Sequence, residues 1–409
     1  LDVHHRFSDA VRLRWLERGT AEYYAALAAH DRGRHLLTFA DGNETLQLGS
    51  LGSLHYAVVA VGTPSVTFLV ALDTGSHLFW LPCDCRQCAP NVEFDIYSPN
   101  KSSSSESVNC NNNLCQSECS AASHCPYQVA YATADTSSSG ILVEDVLYLT
   151  TEDEVIKAPI TFGCGIVQTG AFLETAAPNG LFGLGMDKIS VPSLLASAGL
   201  TSDSFSMCFG RDGIGRIRFG DKGSSDQDET PFHVNPTYNI SIAGITVGNS
   251  INASFSVFVD SGSSFTSLAD PAYTRLSEIF NAQAQDERDP NIPFEYCYNI
   301  SPSKTKIEIP DINFTMESGS QFPVTNPVVL IYNEQQEYAY CLAVVKSHRF
   351  NIIAQNFMTG LHIVFDREKL VLGWKKFNCE VEDSIPLPIN PRNSPPMATV
   401  GPSSYSPEA

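Results

Sequence analysis

The run Val66-Thr-Phe-Leu-Val-Ala-Leu-Asp73-Thr74-Gly75-Ser76 constrains this chain more than any other stretch. A mostly apolar, β-prone segment leads into a carboxylate, and a glycine follows two positions on. A charge at the end of a buried strand is costly unless something satisfies it. A chain reversal at Gly75 lifts Asp73 out of the strand and aims it at a cleft. The same device returns in Phe255-Ser-Val-Phe-Val-Asp260-Ser261-Gly262-Ser263. Two half-sites with one carboxylate each point to a site assembled between two similar lobes.

The intervening texture agrees. From Leu54 onward, short runs of Val, Ile, Phe, Tyr and Thr are broken by Gly, Pro, Asn and Asp, which reads as all-β. A weak repeat places Tyr56-Ala-Val-Val-Ala-Val-Gly62 before Asp73 and Tyr238-Asn-Ile-Ser-Ile-Ala-Gly-Ile-Thr-Val-Gly248 before Asp260. Apolar segments at Gly180-Leu-Phe-Gly183 and Asn351-Ile-Ile-Ala354 are expected to close the lobes. The charged stretch from Gly220 to Glu229 marks a boundary. The expected division is a helical, prosegment-like region over 1–53, a first lobe over 54–224, a second over 225–383 and an unpatterned Pro/Ser-rich tail over 384–409. Within 1–53, residues 7–17 and 22–32 read as short helices rich in Ala, Leu and Arg. Further helices are expected after Ser190 and after Asp270, with Asp270 as N-cap and Pro271 at the first helical position.

The net charge of −20 argues against nucleic acid and anionic membranes as partners. There are twelve cysteines, seven of them between Cys83 and Cys125. Cys83-x-Cys85-x-x-Cys88 lacks the matching second half of a zinc site, so no metal and no cofactor is implied. Asn-x-Ser/Thr sequons stand at Asn43, Asn100, Asn239, Asn252, Asn299 and Asn313. Cysteines and sequons together indicate the secretory pathway, with the protein extracellular or on the outer face of the plasma membrane. The sequence starts at Leu1, consistent with removal of a signal peptide, and it holds no run of 18 apolar residues. Small residues around Ser403, Ser404, Ser406 and Ala409 are compatible with a lipid-anchor attachment site.

Asp73-Thr-Gly-Ser and Asp260-Ser-Gly-Ser, each after a hydrophobic strand, resemble the active-site loops of pepsin-like aspartic proteases. The cysteine-rich stretch from Leu81-Pro-Cys-Asp-Cys to Cys125, together with Phe162-Gly-Cys164-Gly, is similar to the plant nepenthesin-type branch. The resemblance covers about Leu54 to Cys379. It implies a bilobal all-β fold with few helices, a monomer, a polypeptide substrate and hydrolysis at acid pH. It assigns catalysis to Asp73 and Asp260, cross-bracing to Thr74 and Ser261, support of the outer carboxylate oxygens to Ser76 and Ser263, and room for water to Gly75 and Gly262. Trp80 would hydrogen-bond the flap tyrosine, Tyr131. The resemblance further implies disulfides Cys208–Cys379, Cys297–Cys341 and Cys110–Cys125 enclosing Cys115–Cys119, with Cys164 bonded to the Cys83/Cys85/Cys88 group.

Two carboxylates held close cannot both ionise cheaply, so the pair shares a proton. Aspartic proteases are the standing illustration of this coupling. The ionised member acts as base toward a water, and the protonated one hydrogen-bonds the scissile carbonyl. Three positions depart from the family pattern: His77 where Asp is usual, and Ala132 and Ala354 where Gly is usual. The competing reading is a catalytically silent protein of the same fold that binds a protein or carbohydrate. Both Asp loops are intact here, which favours the enzyme.

Overall fold

The computed structural model describes residues 2–5, Ala21 and 55–379, the last without 90–94, 120–122, 132–134, 151–154, 174–176, 211–213, 235–236, 291, 293, 302–306 and 334–335. The expected helices at 7–17 and 22–32, Ala132, Asn43 and the tail with its anchor site lie outside the described residues.

The described chain is mostly strand, arranged as two lobes on a shared sheet. A 14-stranded sheet runs from Asp228–Pro231 through Val371–Lys376, Leu361–Asp366, Ser204–Phe209 and Ile214–Phe219. It continues through Asp2–His5 and His55–Val61 to Val66–Asp73 and the strands of the first lobe. An eight-stranded sheet holds Tyr238–Val247, Asn249–Val259, Thr266–Ala269, Val344–Ser347 and Ile352–Ile353 of the second lobe. Three strands, Cys297–Asn299, Gln336–Leu342 and Val328–Asn333, form a separate sheet.

Each lobe builds its carboxylate loop in the same way. Val66–Asp73 pairs parallel with Leu181–Gly183, with Asp73 opposite Gly183. Asn249–Val259 pairs parallel with Ile352–Ile353, with Val259 opposite Ile353, and Asp260 N–H donates to the Ile353 carbonyl at 3.0 Å. The lobe-closing segments read from the sequence therefore lie directly beside the two loops. Val66–Asp73 alternates at its start and is wholly buried over its last four residues. This is the pattern of a strand covered on both faces as it runs under the cleft. One hydrophobic core spans both lobes: Phe205 stacks on Phe365 at 4.6 Å, and Tyr238 meets Phe365 edge-on at 4.6 Å.

The first described element is a strand, Asp2–His5, inside the region expected to be helical. It pairs with Ile214–Phe219 on one side and His55–Val61 on the other. Ala21 is helical and packs against the cluster of Phe265, Phe294 and Ile331 in the second lobe. The helix after Asp270 spans Ala272–Gln283, so it begins one residue later than expected, with Pro271 at the N-cap. Asp270 still serves its first turn: Thr274 N–H and Oγ1–H both donate to Oδ1, at 3.3 and 2.5 Å.

Six disulfides are present, and Cys208–Cys379 and Cys297–Cys341 are among them. Cys164 bonds Cys83, and Cys85 bonds Cys88. The nested pairing expected in the insert is corrected: the bonds are Cys110–Cys119 and Cys115–Cys125. Cys125 is fully buried, and the turn from Asn112 to Cys115 brings Cys115 over it. Cys110 and Cys119 stay nearer the surface and close on each other.

Candidate active site

The two Asp loops face each other with matching bonds. Gly75 N–H donates to Asp73 Oδ1 at 2.8 Å, and Ser76 Oγ–H to Oδ2 at 2.7 Å. In the second lobe, Gly262 N–H donates to Asp260 Oδ1 at 2.8 Å, and Ser263 Oγ–H to Oδ2 at 2.8 Å. Each carboxylate is almost fully buried yet receives at least two hydrogen bonds, which offset the cost of holding charge there. A Cβ placed on Gly75 would lie 2.8 Å from Asp260 Oδ1 and 3.1 Å from Asp73 Oδ1. A single methyl would therefore touch both carboxylates, so they share one small space.

Below the pair, the lobes are laced together. Thr74 N–H donates to Ser261 Oγ at 3.0 Å, and Ser261 N–H donates to Thr74 Oγ1 at 2.9 Å. The two hydroxyls donate onward, Thr74 to the Val259 carbonyl at 2.9 Å and Ser261 to the Leu72 carbonyl at 3.1 Å. Every polar group in this brace has a partner in the opposite lobe. Gln355 adds a further tie. Its Nε2–H donates to the Ser261 carbonyl at 2.6 Å, and its Oε1 lies 2.7 Å from His55 Nδ1.

The flap is the hairpin of Pro126–Ala130 with Ser137–Thr150, and Tyr131 follows its first strand. Trp80 Nε1–H donates to the Tyr131 hydroxyl at 2.8 Å. Phe172 meets both rings edge-on at 4.9 Å. Burial first, and the Asp73 charge second, push the Tyr131 pKa up, so its hydroxyl keeps its proton. Asp73, Asp260 and Tyr131 line one cavity of about 360 Å³. A larger cavity of about 760 Å³ lies among Ile309–Asn313 and Lys376–Cys379 and contains neither carboxylate of the pair.

Gly183 sits where no side chain fits, since a Cβ there would be 2.3 Å from the His77 backbone. Ala354, its counterpart in the second lobe, is fully buried, and its N–H donates to Thr266 Oγ1 at 3.2 Å. His77 lies beside the first loop, and burial lowers its pKa; Asp187 opposes the shift and Arg367 adds to it. Sequence reading missed Phe172, Gln355, His55, and the cleft-lining Leu114, Gln116 and Asp187. Phe172, Leu114, Gln116 and Asp187 belong to no motif; His55 and Gln355 adjoin the segments Tyr56–Gly62 and Asn351–Ala354, but nothing in the sequence shows that they meet.

A two-lobed β fold with one Asp-Thr/Ser-Gly-Ser loop per lobe, braced across a pseudo-symmetric cleft, defines the pepsin-like aspartic protease class. Residues 55–221 match the family Xylanase inhibitor N-terminal and residues 237–376 match Xylanase inhibitor C-terminal. The chain belongs to the pepsin-like plant aspartic protease family. It is 50% identical to Aspartyl protease family protein 1 of Arabidopsis thaliana, over 100% of this chain and 86% of that protein. It is 38% identical to Aspartic proteinase-like protein 1 of Arabidopsis thaliana, over 97% and 83%. Aspartic proteinase nepenthesin-2 of Nepenthes gracilis is 27% identical over 78% and 77%.

Proposed function

We propose that the protein is an aspartic-type endopeptidase in which Asp73 and Asp260 act as a general acid/base pair on a water held between them. The observation that carries this is the mirrored bonding of the two loops. Each carboxylate has its inner oxygen on a glycine N–H and its outer oxygen on a serine hydroxyl. That pattern leaves the two groups equivalent, so a single shared proton decides which is base and which is acid. The ionised carboxylate takes a proton from water as it attacks the scissile carbon. The protonated one hydrogen-bonds the carbonyl oxygen and stabilises the developing charge; the proton taken from water is then passed to the amide nitrogen, the C–N bond breaks, and the amine and the new carboxylic acid leave. Tyr131, protonated and fixed by Trp80, closes over the substrate from the flap.

The match to domains named for xylanase inhibition supports a second reading, a silent fold that binds another protein. The intact pair and the complete brace favour hydrolysis. Cleavage of an unfolded protein, followed from neutral to acid pH, tests the choice. The wild type is expected to cut it only in acid, and Asp73→Asn and Asp260→Asn are expected to lose cleavage while keeping the wild-type melting profile. An Asp260→Asn protein with full turnover would falsify the mechanism.

The compartment follows from the same reading. Six disulfides suit an oxidising lumen, and the sequons at Asn100 and Asn299 are exposed. Asn239 and Asn313 are half-buried and present less accessible acceptors. We place the protein in the secretory pathway, acting on polypeptides as a monomer. A lipid anchor on its tail is tested by release from membranes with a phosphatidylinositol-specific phospholipase.

A further inference from the structure

One side of the cavity that holds the two carboxylates is lined by residues that the chemistry above does not use. Between the flap strand and the segment that follows Gly185, its walls are Leu78, Leu114, Val129 and Ile189. One charged side chain, Asp187, stands among them. Leu114 and Gln116 come from the cysteine-rich insert, whose placement is held by Cys110–Cys119 and Cys115–Cys125. Lys188 secures the insert further by donating to the Asn113 carbonyl.

Among the described residues, Asp187 has no Lys or Arg partner. Its Oδ1 accepts from Ile189 N–H at 3.1 Å, and Gln116 Nε2 lies 3.0 Å from Oδ1 and 2.9 Å from Oδ2. Arg367 is committed to Asp203 at 2.9 Å, and the Lys188 ammonium to the insert. The His77 ring is close, with Asp187 N–H 3.5 Å from Nδ1, but burial favours its neutral form. Gln116 is exposed, so a stronger donor displaces it at little cost. A carboxylate at the edge of apolar walls matches a side chain with an aliphatic stem and a cationic head.

We propose that this pocket selects polypeptides carrying lysine or arginine at one fixed position near the scissile bond, with the stem against Leu78, Leu114 and Ile189 and the cation on Asp187. The proposal rests on the endopeptidase reading. The competing role for Asp187 is local. Its carbonyl accepts from Ser190 N–H at 3.0 Å and Ser193 Oγ–H at 2.9 Å, so the residue also organises its own turn. Asp187→Asn separates the two roles, because an amide oxygen still caps Ile189 while the charge is gone.

The experiment uses a peptide set in which lysine, norleucine or glutamate is walked through each position around the cleaved bond. At one position lysine is expected to exceed norleucine by about tenfold in kcat/KM, glutamate to be worst, and the lysine-to-norleucine ratio to fall to about one in Asp187→Asn. A purely structural role would slow all peptides together and leave that ratio unchanged. Lysine equal to norleucine at every position, or a preference that survives Asp187→Asn, overturns the proposal. If the wild type cleaves none of the peptides, the endopeptidase reading fails instead. Fluorescence anisotropy of the same peptides then decides the pocket: tighter binding of one lysine peptide, lost in Asp187→Asn, supports it, and equal binding refutes it.

Discussion

Replacing Gly75 with alanine would put one methyl group between the two carboxylates. The added Cβ would lie 2.8 Å from Asp260 Oδ1, 3.0 Å from Asp260 Cγ and 3.1 Å from Asp73 Oδ1, all closer than ordinary van der Waals contact, which starts at 3.4 Å. Asp260 must give way by several tenths of an ångström, against the bonds that Gly262 N–H and Ser263 Oγ–H hold on it. Overpacking of this kind costs about 1–3 kcal/mol, a fraction of the roughly 5–15 kcal/mol that keeps a domain folded. Gly75→Ala is therefore expected to fold, with a modest drop in melting temperature. Its kcat/KM should fall by about a hundredfold or more, because the carboxylates are displaced and the space for water is filled. Gly183→Ala is the contrasting case. Its methyl would meet the His77 backbone at 2.3 Å, where no side-chain rotation relieves the clash, so yield and stability are lost along with activity. Peptide hydrolysis and thermal melting on the two purified variants give both quantities. A Gly75→Ala protein that keeps wild-type kcat/KM would show that the carboxylates do not act through the space between them.

Thr74→Val removes the hydroxyl that accepts from Ser261 N–H and leaves that buried donor unmet, lowering stability by about 1–3 kcal/mol; an unchanged melting temperature would contradict the brace. His77 titrates below its ordinary value in the folded chain. The unfolded chain therefore binds a proton there first, and the stability His77 contributes above the ordinary histidine pKa is lost as pH falls through the lowered one. His77→Gln should then narrow the drop in melting temperature between neutral and acid buffer, and a drop as steep as the wild type's counts against the assignment. Ala354→Gly, which restores the small residue found at Gly183, is expected to keep the fold and raise kcat with little change in KM; a variant no faster than the parent means the methyl is simply accommodated.

The paired Asp loops were legible because each is written in consecutive residues: a strand, a carboxylate, a glycine. Their closing strands were legible for the same reason. The Asp187 side of the cavity was not. Gln116 and Asp187 are 71 residues apart and share no motif, so only the folded backbone brings them together. His55 and Gln355, 300 residues apart, are a stronger case of the same kind. The nested insert disulfides implied by the resemblance failed for a different reason. Cys110, Cys115 and Cys119 bring their sulfurs within 4.8 Å of one another, and alternative pairings then differ by small turns of the backbone rather than by distance along the chain. The strand Asp2–His5 has only one aliphatic residue inside it and no alternation to read. It is recruited by the open edges of two neighbours.

The sheet shared by the lobes also sets a timetable for synthesis. Ser204–Phe209 pairs with Leu361–Asp366, Asp228–Pro231 pairs with Val371–Lys376, and Cys208 must wait 171 residues for Cys379. A chain emerging from its amino end exposes the Asp73 loop early, while every partner of Thr74 and the edge of Ser204–Phe209 are still missing. Until residue 260 is made, the nascent protein carries one acidic loop without its counterpart, and the strands that complete the shared sheet come about a hundred residues later still. A chain that stops before Leu361 keeps both acidic loops but leaves Ser204–Phe209 as an unpaired apolar edge, an invitation to aggregate. A cleft that needs both lobes and their shared sheet is therefore assembled only when the chain is nearly complete.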